Sequence, residues 1–176
     1  MKKWMLVLIS LLSASNLMCL VSARDYDQNH FFTKTEPKEE KLVGKYVPTT
    51  KTISLIKDVG KYESEDVAIA LFPDGTFEVN NMPDWWIPND AGYGKSNGGV
   101  DSGTGKWKIS KENLSGLWQI TLDFQSGVFN SRKDINNDLT LTLDLGGQQS
   151  PYSIWIYVGD PDSGNVMVFE QVVENP

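Results

Sequence analysis

The chain has 176 residues, with 16 Lys and Arg against 23 Asp and Glu, a formal charge of −7, one cysteine and one histidine. An acidic balance of this kind argues against a nucleic-acid partner and against anionic membrane surfaces, both of which draw on clustered basic side chains. A single cysteine excludes an internal disulfide, and a single histidine excludes the usual zinc ligand sets and weighs against a Ser-His-Asp hydrolase.

At the start, Lys2 and Lys3 precede an apolar run from Trp4 to Leu12, and Val21-Ser22-Ala23 offers small residues for cleavage. This pattern predicts an export signal over residues 1–23 and a periplasmic or extracellular destination. Its removal takes away two basic residues and no acid, leaving 153 residues with 14 basic and 23 acidic side chains, a charge of −9. That length suits one domain. Two other routes fit the same stretch. Cleavage before Cys19 with lipid attached there would give a membrane-tethered lipoprotein, and retention of the eighteen residues from Trp4 to Val21 would give an anchor. No later stretch is apolar for long enough to span a bilayer.

Residues 24–40 are rich in charge (Asp25, Asp27, Lys34, Glu36, Lys38, Glu39, Glu40) and carry little apolar periodicity apart from Phe31-Phe32, so they read as a flexible tether. His30 lies in this stretch and reads as a solvated side chain. From residue 41 to 176 the pattern becomes short runs of period two separated by Gly, Pro, Asn and Asp, the signature of strands and turns. Runs fall at 41–47, 52–57, 67–72, 76–80, 105–110, 117–124, 139–145, 152–158 and 165–171. Pro73-Asp74-Gly75 predicts a hairpin, since Gly supplies the positive φ that other residues resist. Trp107 and Ile109 alternate with Lys106 and Lys108; Trp118, Ile120, Leu122 and Phe124 alternate with Gln119, Thr121 and Asp123. In Leu139 to Leu145 every odd position is Leu. Tyr152 to Val158 is apolar on both faces, so Phe31-Phe32 or a partner chain is expected to cover the second face. The best helical window, Val59 to Ala70, is broken by Glu63, Ser64, Glu65 and Asp66. The fold class that follows is all-β: an antiparallel meander of eight or nine strands closed into an up-and-down barrel, which hides its edges, with a β-sandwich as the alternative.

At Leu42-Val43-Gly44-Lys45-Tyr46 the chain resembles the first strand of lipocalin-like barrels, where Gly-x-Trp lets an aromatic ring plug one end. Phe72-Pro73-Asp74-Gly75-Thr76-Phe77 is similar to hairpins of small exported bacterial β proteins. Tyr46 stands in place of Trp, and no clear Thr-Asp-Tyr segment is present. The resemblance implies a barrel that holds an apolar small molecule and performs no catalysis.

Residues 81–104 lack a strand pattern and contain Trp85, Trp86, Tyr93, Asp84, Asp90 and Asp101 among several glycines. Loops of this length are uncommon unless they function or are disordered. Adjacent tryptophans must either plug a barrel end or meet a ligand. Rings stack and acids accept hydroxyl hydrogen bonds, so Trp85, Trp86, Tyr93, Asp84 and Asp90 are the candidate site, suited to a small hydrophobic molecule or a saccharide. The clusters Asp134 to Asp138 and Asp160 to Gly164 read as turns, because the first lacks both the turn Gly and the closing Glu of a calcium loop. No metal and no cofactor is expected. The primary functional expectation is a non-enzymatic, ligand-binding exported barrel. A protein-binding envelope module, inhibitor or immunity protein is the alternative, and an enzyme built on paired carboxylates the third reading.

Overall fold

The computed structural model describes residues 31–60, 66–87, 99–130, 139–158 and 165–173. The leader, His30, Asp90, Tyr93 and the clusters Asp134 to Asp138 and Asp160 to Gly164 lie outside the described residues. The chain divides into two units, Met1–Phe31 and Phe32–Pro176, and the second is the β domain.

Eight strands form one closed antiparallel barrel in chain order: β1 (Gly44–Pro48), β2 (Ala68–Leu71), β3 (Thr76–Pro83), β4 (Val100–Lys111), β5 (Trp118–Val128), β6 (Thr140–Gly146), β7 (Ser153–Tyr157) and β8 (Val166–Gln171). Closure rather than two facing sheets settles the class as an up-and-down barrel. The period-two pattern puts Tyr46, Ile69, Phe77, Val79, Ile120, Leu122, Leu145, Ile154, Met167 and Phe169 inside, each at most 1% exposed. Side chains of this bulk are enough to occupy the interior of an eight-stranded barrel.

The seam between β1 and β8 is short: Tyr46 pairs with Gln171, Val47 with Glu170 and Pro48 with Phe169. It is extended by helix α2 (Thr50–Gly60; a short α1, Glu39–Leu42, precedes β1). Thr49 caps α2 by accepting the Thr52 N–H at 3.2 Å, and the Thr52 hydroxyl both accepts from Val168 N–H at 2.8 Å and donates to its carbonyl at 3.1 Å. One threonine thus satisfies β8 where β1 has ended. Residues 52–57, expected as a strand, are therefore helical. Buried Thr52 and Ile56 with half-buried Leu55 have helical spacing, and a run this short satisfies both periods.

Two irregularities shape the long strands. The β3–β4 register steps from Val79↔Gly103 to Met82↔Asp101, a bulge at which Asn81 adopts φ 51° and its N–H donates to Ser102 Oγ at 2.9 Å. The β4–β5 register steps from Thr104↔Ser126 to Gly105↔Phe124, leaving Gln125 as the extra residue. Through these bulges β3 and β4 run on into the segment expected as loop, so the connection between them shrinks to residues 84–99.

Within the stretch read as a tether, residues 32–40 belong to the β domain. Phe32 bridges Gly146, Thr33 N–H donates to Leu145 O at 2.9 Å and Trp118 N–H donates to Thr33 O at 2.8 Å. Phe32 lies edge-on against Trp155, ring centroids 5.2 Å apart, and covers the outer face of β7. From this stitch between β5 and β6 the chain reaches β1 on the far side of the closed order, so residues 34–42 form a strap across one end of the barrel.

Candidate functional site

The two barrel ends differ in kind. The β2–β3, β4–β5 and β6–β7 turns are at the strap end, while α2 and the connections over 84–99, 129–139 and 158–165 are at the opposite end.

At that opposite end sit the sequence-predicted residues that can be placed. Asp84, Trp85 and Trp86 follow directly on β3, and all three are buried. The Asp84 carboxylate accepts the Gly99 N–H at 3.2 Å while its own N–H donates to Gly99 O at 3.3 Å, pinching the base of the connection. Trp86 packs edge-on against Phe124 with centroids 6.2 Å apart, and Phe124 in turn meets Phe77 at 4.8 Å and Phe129 at 5.1 Å. The Trp86 indole N–H donates to Asp101 Oδ2 at 3.0 Å, and Asp101 Oδ1 accepts the Asn130 N–H at 2.6 Å. Asp101 is fully buried, so this carboxylate ties the β3–β4 connection to the start of the β5–β6 connection from within. Gly103 leaves room for the ring stack: a Cβ there would stand 2.8 Å from Phe124 Cδ1. The Trp85 indole nitrogen has no hydrogen-bond partner among the described residues. Trp85 and Trp86 are thus core side chains that plug this end, and neither presents a ring face to solvent.

The strap end is built differently. The Tyr46 hydroxyl donates to Leu42 O at 2.8 Å, and Gln171 Nε2 donates to Lys41 O at 2.9 Å and Val43 O at 3.0 Å, so β1 and β8 hold the C-terminal part of the strap. Burial, with a smaller contribution from Tyr152, pushes the Tyr46 hydroxyl pKa well above its ordinary value and keeps it a donor. Between strap and barrel lies an open groove of about 720 Å³. Glu36, Pro37, Lys38, Glu39 and Glu40 form its strap wall; Val43, Pro73, Gly75, Trp107 and Ile109 form the other. Trp107 is fixed by its N–H to Gly75 O at 2.8 Å and its indole N–H to Phe72 O at 3.0 Å, so what it offers the groove is carbon. The turn beside it is set by Gly75 at φ 76° and by Asp74, whose Oδ1 accepts the Thr76 N–H at 3.0 Å and the Thr76 hydroxyl at 2.5 Å. Those two bonds hold the exposed Asp74 carboxyl below its usual pKa.

The candidate residues Asp84, Trp85 and Trp86 thus lie at the end opposite the groove, and none of the described candidate residues lines it. Trp107 was legible as an inward residue, but its neighbours 36–40 carry the composition of solvated chain. The signal available was their bracketing by apolar anchors, Phe32 on one side and Leu42-Val43 on the other.

Among the described residues no group of His, Cys, Asp and Glu is arranged to hold a metal ion, and no helix is long and apolar enough to cross a membrane. Fold and groove together define a closed eight-stranded β-barrel with a filled interior, one plugged end and one strapped, open end. Compared with known proteins, the chain matches no family model, no curated protein and no solved structure.

Proposed function

We propose that the protein is an exported, non-enzymatic barrel that binds a small apolar or ring-bearing molecule, and that the molecule lies in the groove beneath the strap. The observation that carries this reading is the groove itself: about 720 Å³, within the range of roughly 300–1,000 Å³ common for small-molecule sites, with Trp107 and Ile109 on its barrel wall. The inward side chains have almost no accessible surface, which supports placing a ligand at a mouth rather than on the axis. The lining contains no Ser, Thr, Cys or His, so no Ser-His or Cys-His pair stands in the groove. The lipocalin-like reading is part of the same proposal: Gly44-Lys45-Tyr46 opens β1, and Tyr46 is a buried aromatic residue at the strap end.

Isothermal titration calorimetry with 2-naphthylmethanol tests it on three proteins: wild type, Val43→Trp, which fills the groove from its edge, and Trp86→Phe at the other end. Binding by wild type and Trp86→Phe but not by Val43→Trp is expected. Loss in Trp86→Phe alone would move the site to the plugged end, and absence of binding throughout, including to aliphatic and saccharide probes, would refute the reading.

A further inference from the structure

Resting on the small-molecule reading just given, we infer that the groove takes a cation: a primary or quaternary amine carried on an apolar or aromatic body. The two walls of the groove differ in chemistry. On the barrel side Val43, Pro73, Trp107 and Ile109 present carbon, and the one polar atom of the Trp107 ring is already spent on Phe72 O. On the strap side stand Glu36, Glu39 and Glu40 against the single ammonium of Lys38, all four exposed. None of the three glutamates forms an ion pair with a described residue, so their charge is directed at the groove and the solvent rather than spent within the protein.

A ligand entering this space buries its body on one side and turns its head toward the strap. For an ammonium that head meets three carboxylates while its apolar body rests on the carbon wall. A carboxylate head would meet the same three charges as repulsion, with Lys38 alone in its favour. A neutral polyol gains no charge-assisted bond from the glutamates beyond those water already supplies. The acidic balance of the whole chain acts in the same sense, concentrating cations near its surface.

The test uses three probes on one naphthyl body: 2-naphthylmethylamine, 2-naphthylmethanol and 2-naphthoate, titrated calorimetrically into the protein at low and high salt. Because each exposed ion pair is worth a fraction of a kcal/mol, the amine is expected to bind about 10-fold more tightly than the alcohol at low salt and within about 2-fold of it at molar salt. Glu36→Gln, Glu39→Gln and Glu40→Gln combined should bring the amine to within about 2-fold of the alcohol at low salt, while Lys38→Gln should enlarge the preference. Equal affinity for amine and alcohol at low salt, preference for the naphthoate, or an amine preference that survives the triple substitution would each overturn the charge assignment with the groove reading left standing. Failure of every probe to bind would overturn both.

Discussion

If the plugged end is held by the Asp101 carboxylate, Asp101→Asn should be costly although it changes no atom's position. Both oxygens of Asp101 accept: Oδ2 from the Trp86 indole N–H at 3.0 Å and Oδ1 from the Asn130 backbone N–H at 2.6 Å. An asparagine amide has one acceptor and one donor end, so in either orientation an NH₂ group faces an N–H. One hydrogen bond to a charged group, worth about 1.5–3 kcal/mol, is lost, and two donors are left opposed where water does not reach. Some of this is returned because the amide carries no buried charge, so a net loss of about 2 kcal/mol is expected. For a domain of this size that lowers Tm by roughly 4–8 °C. Urea unfolding followed by tryptophan fluorescence measures it. Trp86→Phe removes the donor from one side, and in the double variant the amide introduced by Asp101→Asn can turn its NH₂ toward residue 86 without opposition. The two substitutions should therefore be less than additive by about 1 kcal/mol. Stability of Asp101→Asn within about 0.5 kcal/mol of wild type would show that Trp86 is kept in place by Phe124 and its other apolar contacts, and that the carboxylate does not hold the plug.

Three further outcomes follow from the same geometry. A Cβ on Gly105 would press into the Asp123 carbonyl and stand 2.9 Å from Phe124 Cα, backbone that cannot turn aside, so Gly105→Ala should cost about 3 kcal/mol or more; Gly75→Ala, with open space and only its φ of 76° to strain, should cost about 1 kcal/mol, and urea midpoints distinguish them. Tyr46→Phe deletes the bond to Leu42 O and should cost about 1 kcal/mol, with faster amide hydrogen exchange over residues 39–43. Since the folded hydroxyl keeps its proton where the unfolded one releases it, wild-type stability should also fall as pH rises above about 10, and the variant should lack that part of the fall. Burial raises the Asp144 pKa, opposed by the bond from Gln119 Nε2 at 2.8 Å and reinforced by Glu112, so the folded state binds this proton more tightly than the unfolded state. Stability from this group is present below the ordinary carboxyl value and declines as pH rises through the raised one. Asp144→Asn, which still accepts from Gln119, should therefore gain on wild type in urea midpoints between about pH 3 and 7.

The barrel was legible because most of its strands have one wet and one dry face, and that alternation survives without any knowledge of neighbours. Leu141 to Leu145 and Trp118 to Phe124 are clear instances. What defeated the pattern was local. At Val100 to Gly105 the inward positions are Asp101, Gly103 and Gly105, small or acidic because aromatic rings and a buried hydrogen-bond network occupy the space. A strand whose inner face is empty of carbon has no hydrophobic period to read. Thr52 to Lys57 failed for the opposite reason: a short apolar run fits both periods, and the Thr49 cap and the Thr52 bonds to β8 decided for helix. The groove was illegible because it joins residues 36–43 to residues 73–109, and the long-range bonds of Phe32, Thr33 and Gln171 that bring them together leave no mark on local composition.

The two ends of the barrel then follow from a single constraint. An eight-stranded barrel lined by Tyr, Phe, Ile and Leu has no lumen, so each mouth must be either covered or used. At one mouth, Trp85 and Trp86 are buried, with Trp86 edge-on against Phe124. At the other, the cover is a strap that is mostly charge. It is tied at its ends by Phe32 and Thr33, and by Leu42 and the hydroxyl of Tyr46; between Thr33 and Leu42 only Pro37 is buried. A charged strap cannot lie flat on Trp107 and Ile109 without stripping water from Glu36, Glu39 and Glu40, each a desolvation that no described partner offsets. It therefore stands off, and the space it leaves has carbon on one wall and carboxylates on the other. On the small-molecule reading, the sign of a ligand's charge is therefore the property to measure first.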